Sequence, residues 1–154
     1  MIKIDLEQQV NASPAELLAL LTDHVNLSRF FNAEFAIAKS SFEGEIPGGK
    51  GCRRLVDTLG QSFVEEITKA DISGIEYRIV GSQPLKHHFG QIDFTVLEQQ
   101  TLINYYVEGV PVSYLPKIIV QWAIERDIRQ ALRKIAQHFT HEEQKKWYDK
   151  LLLR

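Results

Sequence analysis

The chain contains one cysteine, Cys52, in 154 residues, so no disulfide can form within it, and a reducing cytoplasmic setting is expected. No apolar run approaches the roughly 18 residues that a membrane-spanning helix needs, and the opening MIKIDLEQQV does not read as a secretory leader. An excess of one charge is also missing. The 18 Lys and Arg stand against 20 Asp and Glu, for a net charge of -2. Basic residues near the C-terminus are interleaved with acidic ones, which argues against a phosphate-binding stripe and a nucleic-acid partner. There is no phosphate-binding glycine loop, no dinucleotide fingerprint and no G-x-S-x-G elbow. The five histidines include no group with carboxylates at metal-ligand spacing, so neither a metal nor a cofactor is expected. With 44% hydrophobic and 25% charged residues, the chain reads as one domain with a real core.

What the sequence does contain is a long helical pattern near its end, SYLPKIIVQWAIERDIRQALRKIAQHF, from Ser113 to about Phe139. A helix of about 25 residues would span about 38 Å, too long for a connector. In its second half Ile124, Ile128, Ala131, Leu132, Ile135 and Phe139 form one stripe, opposite Arg126, Arg129, Arg133 and Gln137. In its first half Tyr114, Leu115, Ile118, Ile119, Val120 and Trp122 point in nearly every direction. A helix end that is apolar all round is buried on several sides, or it borders a ligand mouth or a partner surface.

The preceding chain reads as strands with one helical interruption. Ile2, Ile4 and Leu6 alternate with charged residues, as in a half-buried strand. Ser13-Pro14-Ala15-Glu16 is a capping box with proline at the first helical position, and it predicts a short helix to about Thr22. Asp23 can cap a second short helix carrying Val25, Leu27, Phe30 and Phe31. Strands are then expected at 35–42, 51–59, 62–70, 75–80, 87–97 and 102–108, joined by short turns, which implies an antiparallel meander. The glycine-rich stretch Gly44–Gly51 reads as a flexible hairpin that could serve as a lid. Thr140-His141-Glu142-Glu143 is a second capping box and predicts a separate terminal helix through Leu153.

That order is a helix-grip arrangement: an α+β fold with a curved antiparallel sheet of about seven strands around a long C-terminal helix, and two short helices after the first strand. The chain resembles the START/Bet v 1-like (SRPBCC) superfamily, and more closely its bacterial polyketide cyclase/dehydrase and lipid-transport-like branch. The resemblance rests on VNASPAELLALLTD at 10–23, LSRFF at 27–31, GCRRL at 51–55, FVEEITKAD at 63–71 and IEYRI at 75–79. It covers residues 1–139, taken as the domain, with 140–154 as a helical extension. The resemblance implies a pocket between sheet and helix for a hydrophobic molecule such as a lipid, sterol, polyketide or quinone.

Several residues are candidates for lining that pocket. Arg54 shares a strand face with Cys52, Val56 and Thr58, and Glu65 shares one with Phe63 and Ile67. Facing inward, the two would satisfy charges that are costly to bury singly; facing outward, they form a surface cross-strand pair with Arg53 and Glu66 inside. The resemblance places a similarly patterned Arg and Glu on these strands. His87 and His88 would point to opposite sides of a strand; they read first as a surface pair, and otherwise one of them, with His88 taken forward, is a cavity acid or base. Tyr77, Tyr105, Tyr106, Tyr114 and Trp122 each join an apolar body to one hydrogen-bonding group, and Ile118 lies beside them on the helix. Cys52 reads as packed, not nucleophilic.

Three functions remain open on these grounds. The first is binding or carriage of a hydrophobic small molecule. The second is a cyclase or dehydratase-type enzyme using Arg54 with Glu65 or His88. The third is a protein-interaction module presenting Ile118, Ile119 and Val120. A cavity lined by paired titratable groups favours the enzyme, an apolar tunnel favours carriage, and a filled core with an exposed patch favours interaction.

Overall fold

The computed structural model describes residues 1–58, 60–112 and 114–152. Leu59, Ser113 and Leu153, expected at the ends of a strand and two helices, lie outside the described residues. Seven strands form one antiparallel sheet: β1 (Ile2–Val10), β2 (Glu34–Lys39), β3 (Arg53–Thr58), β4 (Gln61–Asp71), β5 (Gly74–Val80), β6 (Leu85–Leu97) and β7 (Gln100–Pro111). Their spatial order is β1-β7-β6-β5-β4-β3-β2. Strands β2 to β7 follow one another as a meander, and β1 returns to pair with β7, with Ile2 opposite Gly109 and Val10 opposite Thr101.

Helix α1 (Pro14–Thr22) starts where its capping box predicts. Ser13 Oγ accepts from the Glu16 N–H at 3.1 Å, and Glu16 Oε1 accepts from the Ser13 N–H at 3.2 Å. The second short helix is a 3-10 helix, His24–Arg29. Its three-residue turn aligns positions three apart, so Leu21, His24, Leu27 and Phe30 are all buried, while Val25, expected inside, faces solvent.

The C-terminal helix α2 runs from Lys117 to Leu152 without interruption. It starts later than expected, because Pro116 disfavours a helical backbone at Leu115. The Pro116 carbonyl instead accepts from the N–H groups of Ile119 and Val120, at 3.0 and 3.2 Å. The break expected at Thr140 does not occur. Thr140 Oγ1 donates back to the Ala136 carbonyl at 3.0 Å instead of capping a new helix. Nothing else between Lys117 and Leu152 stops the helix, since the span holds no proline or glycine.

The stripe Ile128, Ala131, Leu132, Ile135 and Phe139 is buried as the spacing predicts, with Ile124 partly buried beside it. It packs onto a core that includes Ile4, Val10, Leu17, Ile67, Ile103 and Tyr105. Beyond Phe139 the helix leaves the core, and Trp147, Tyr148, Leu151 and Leu152 are exposed. Among the described residues no helix is long and apolar enough to cross a membrane.

Candidate functional site

Between the sheet and the first turns of α2 lies a cavity of about 440 Å³. Its walls are mostly apolar, including Phe31, Phe63, Ile92, Val107, Ile119 and Ile124. The buried side chains of α2 begin at Ile128, and Ile119, Val120, Ala123 and Ile124 before it line this space. The cavity's polar groups come chiefly from five neighbouring strands, β3 to β7.

Arg54 on β3 stands directly opposite Glu65 on β4. Strand alternation turns both inward, and each is 7% exposed. Glu65 Oε1 accepts from Arg54 Nε at 2.9 Å and lies 2.8 Å from Nη2. The guanidinium also sits over two rings, 5.2 Å from the centroid of Phe35 and 5.1 Å from that of Tyr77. Burial works against its charge, but the Glu65 carboxylate, together with the Tyr77 and Tyr105 phenols, more than offsets this and raises the Arg54 pKa above its ordinary value. The outward alternative belongs to the next residues along, where Arg53 meets Glu66 at 3.2 Å on the opposite face.

His24 completes this group. Its Nε2 lies 2.7 Å from the Gly48 carbonyl oxygen, which can only accept, so Nε2 carries the proton. Nδ1 is then a free lone pair, and Arg54 Nη1 donates to it at 3.0 Å. Burial, reinforced by the Arg54 charge, lowers the His24 pKa from 6.5 to about 4. The ring is neutral. It ties the 44–51 loop to the buried ion pair, and at Gly48 (φ +73°) a side chain would run into Thr22 and His24. This loop adds no residue to the main cavity wall. The lid expectation is therefore corrected: Ile46, Pro47 and Gly48 pack beside α1 instead.

His88 reaches the cavity through a break in its strand. The β6–β7 register shifts between Lys86 and Phe89, and His87 adopts φ +52°. This turns His87 out to solvent and lets His88 Nδ1 accept from the Ile79 N–H at 3.0 Å, beyond the last β5–β6 backbone pair. Nδ1 is occupied as an acceptor, so Nε2 bears the proton. Burial lowers the His88 pKa, and the ring is neutral.

Tyr77 and Tyr105 meet hydroxyl to hydroxyl. Burial pushes Tyr105 up to about 12 and Tyr77 well above its ordinary value, so both phenols stay protonated. Tyr77 lies across β6 at Gly90, where any side chain would strike its ring. Cys52 is buried and burial raises its pKa, which is the setting of a packed thiol.

Of the residues singled out from sequence, Arg54, Glu65, Tyr77, His88 and Tyr105 line this cavity. Tyr114, Ile118 and Trp122 do not, and they are 97%, 78% and 61% exposed. The reason is helical phase. At 3.6 residues per turn, Val120, Ala123, Ile124 and Asp127 share the cavity face, while Ile118 and Trp122 fall on the other side with Arg126. Arg126 accordingly lies over the Trp122 ring, 5.4 Å from its centroid. Ile119 and Val120 also line the cavity, so with Ile118 they do not make one outward patch. Tyr106 alternates to the other sheet face and donates to Glu108 Oε2 at 2.8 Å.

Two residues went unread in the sequence. The His24 signal was the three-residue spacing of Leu21, His24, Leu27 and Phe30. The Asp127 signal was a carboxylate in the phase of Val120, Ala123 and Ile124. Among the described residues no three His, Cys, Asp or Glu side chains gather as a metal-ligating cluster.

Comparison with known proteins agrees with this architecture. No curated protein matches the chain in sequence. A START superfamily protein from Mycobacterium smegmatis is similar in structure, with a TM-score of 0.74 at 13% identity, covering 90% of this chain and 97% of that one. A crystal structure of a Thermus thermophilus protein gives 0.70 at 14%, covering 92% of this chain and 99% of that one. Ara h 8.0201 gives 0.68 at 15%, covering 91% of this chain and 98% of that one. At such identities the likeness speaks for the fold. The family model described as "Polyketide cyclase / dehydrase and lipid transport" matches residues 1–140, and the chain belongs to that family.

Proposed function

We propose that the chain binds an apolar small molecule in the cavity between the sheet and α2, and holds or carries it without transforming it. The observation that carries this reading is the cavity itself: about 440 Å³ of mostly apolar space with its few polar groups gathered on neighbouring strands. The state of those groups favours holding over chemistry. Arg54 is engaged by Glu65 and His24, the two phenols stay protonated, and His88 offers a proton on Nε2 while its other nitrogen is bound to backbone. The phenols and His88 are thus set to donate hydrogen bonds, not to take up a proton.

A cyclase or dehydratase-type activity is the second reading. It is favoured by paired titratable groups, with a tyrosine hydroxyl or His88 Nε2–H placed to protonate a carbonyl oxygen.

Native mass spectrometry of the purified protein, followed by organic extraction, is the first test. A small molecule released unchanged is the expected result. Uptake of the neutral fluorophore N-phenyl-1-naphthylamine should also be seen, and Ala123→Trp, which fills the cavity from the helix side, should abolish it. An empty protein that takes up no fluorophore would overturn the reading.

A further inference from the structure

Charge in the cavity wall is unevenly distributed. Arg54 is the one cation among the described lining residues, which also include two carboxylates, Glu65 and Asp127. Its charge is already spoken for by Glu65 at 2.8 Å. His88 adds none, because its neutral ring follows from the bond to Ile79. Asp127 has no hydrogen bond or ion pair among the described residues; burial raises its pKa, and the nearby Arg126 charge, on the helix outside the cavity wall, works against that rise. Protonated or not, it brings no positive charge.

The unused hydrogen-bonding capacity is equally specific. Both Arg54 contacts go to Glu65 Oε1, so Oε2 is left as an acceptor. His88 Nε2–H is a donor without a protein partner among the described residues. The Tyr77–Tyr105 pair has two hydroxyl protons and makes one bond, which leaves a second donor. Among the described residues no inaccessible side-chain nitrogen or oxygen lacks a partner, so the free Oε2 and Nε2 are open to the cavity.

From this arrangement we infer that the cavity selects against anions and takes an uncharged amphiphile, an apolar body ending in an alcohol or phenol. A hydroxyl both donates and accepts, so it can serve Glu65 Oε2 and one of the two free donors together. A carboxylate or phosphate can only accept. It would leave Oε2 unserved and bring a second negative charge beside Glu65 in a poorly solvated space. The inference rests on the binding reading above, and it narrows the ligand class from hydrophobic to neutral and hydroxylated.

A matched pair of ligands tests it. 1-Decanol and decanoate have the same chain length and differ in the charge of the head, and both can be titrated near neutral pH against bound N-phenyl-1-naphthylamine. Decanol is expected to displace the fluorophore at least about tenfold more tightly than decanoate. In Glu65→Gln the Arg54 charge loses its partner, and the preference should reverse toward decanoate by about tenfold or more. In Asp127→Asn the gap between the two ligands should narrow without reversing. Equal or tighter binding of decanoate by the wild type would overturn the inference while leaving the cavity reading intact. A folded Glu65→Gln protein with an unchanged preference would overturn it too. If Glu65→Gln does not fold, Asp127→Asn decides, and an unchanged gap there counts against the inference. Failure of the wild type to take up the neutral fluorophore would bring down the binding reading and the inference together.

Discussion

Two arginine–glutamate pairs sit side by side on β3 and β4, built from adjacent residues and differing mainly in the sheet face they occupy. Arg54 and Glu65 face the cavity and are shielded from water, with Arg54 lying against two aromatic rings and a histidine. Arg53 and Glu66 face outward, where Arg78 offers Glu66 a second, looser cation at 3.7 Å. The outward pair can exchange its partner for water at little cost. The inward pair cannot, so the same chemistry becomes structurally binding on one face and nearly neutral on the other.

Breaking the inner pair should have the largest effect. Glu65→Ala strands the Arg54 charge in the cavity wall, and the expected loss is about 3–5 kcal/mol, read as a lower midpoint in urea unfolding. A loss below about 1 kcal/mol would mean that the inner pair behaves as the outer one does.

Acid sharpens the contrast through His24. Its folded pKa of about 4 lies below the ordinary 6.5, so between these values the unfolded chain binds more protons than the folded one. The His24 contribution is therefore complete above pH 6.5 and is lost as pH falls toward 4. The depression from 6.5 to about 4 corresponds to roughly 3 kcal/mol at most. His24→Gln retains one donor and one acceptor but cannot charge, so its stability should fall less steeply than the wild type's across that window. Parallel curves for the two proteins would remove His24 as the cause.

The smallest effect is expected outside. Arg53→Ala should cost no more than about 1 kcal/mol, because a 41% exposed arginine side chain is already well hydrated. A loss approaching that of Glu65→Ala would erase the distinction between the two faces.

How much of this could be read in the sequence depended on range. The pairing of Arg54 with Glu65 was legible, because a short hairpin and strict alternation place them opposite each other. Which face is inside was not, since Arg53 and Glu66 fit the same pattern and only the packed helix decides between them. His24 was illegible in its role because its partners, Gly48 and Arg54, are 24 and 30 residues away. The lower half of α2 was legible as an apolar stripe. Its upper half misled, because apolar residues on all sides concealed the phase that puts Val120 and Ala123 inside and Trp122 outside. The continuation past Thr140 misled for another reason: a capping box marks where a helix can begin, but stopping the previous one takes a breaker, and there is none.

The pairing of β1 with β7 has a consequence for the order of events during synthesis. Ile2 emerges from the ribosome before any other strand residue of the sheet, yet its partner Gly109 follows only after nearly all of the other strands. Until then β1 is an unpaired apolar edge, and the space beneath it cannot close. Such long-range closure slows folding, since the entropy of a large loop is lost before its contacts are gained. The first strand of the sheet to be made is thus among the last to be secured, and the nascent chain must avoid aggregation in the interval.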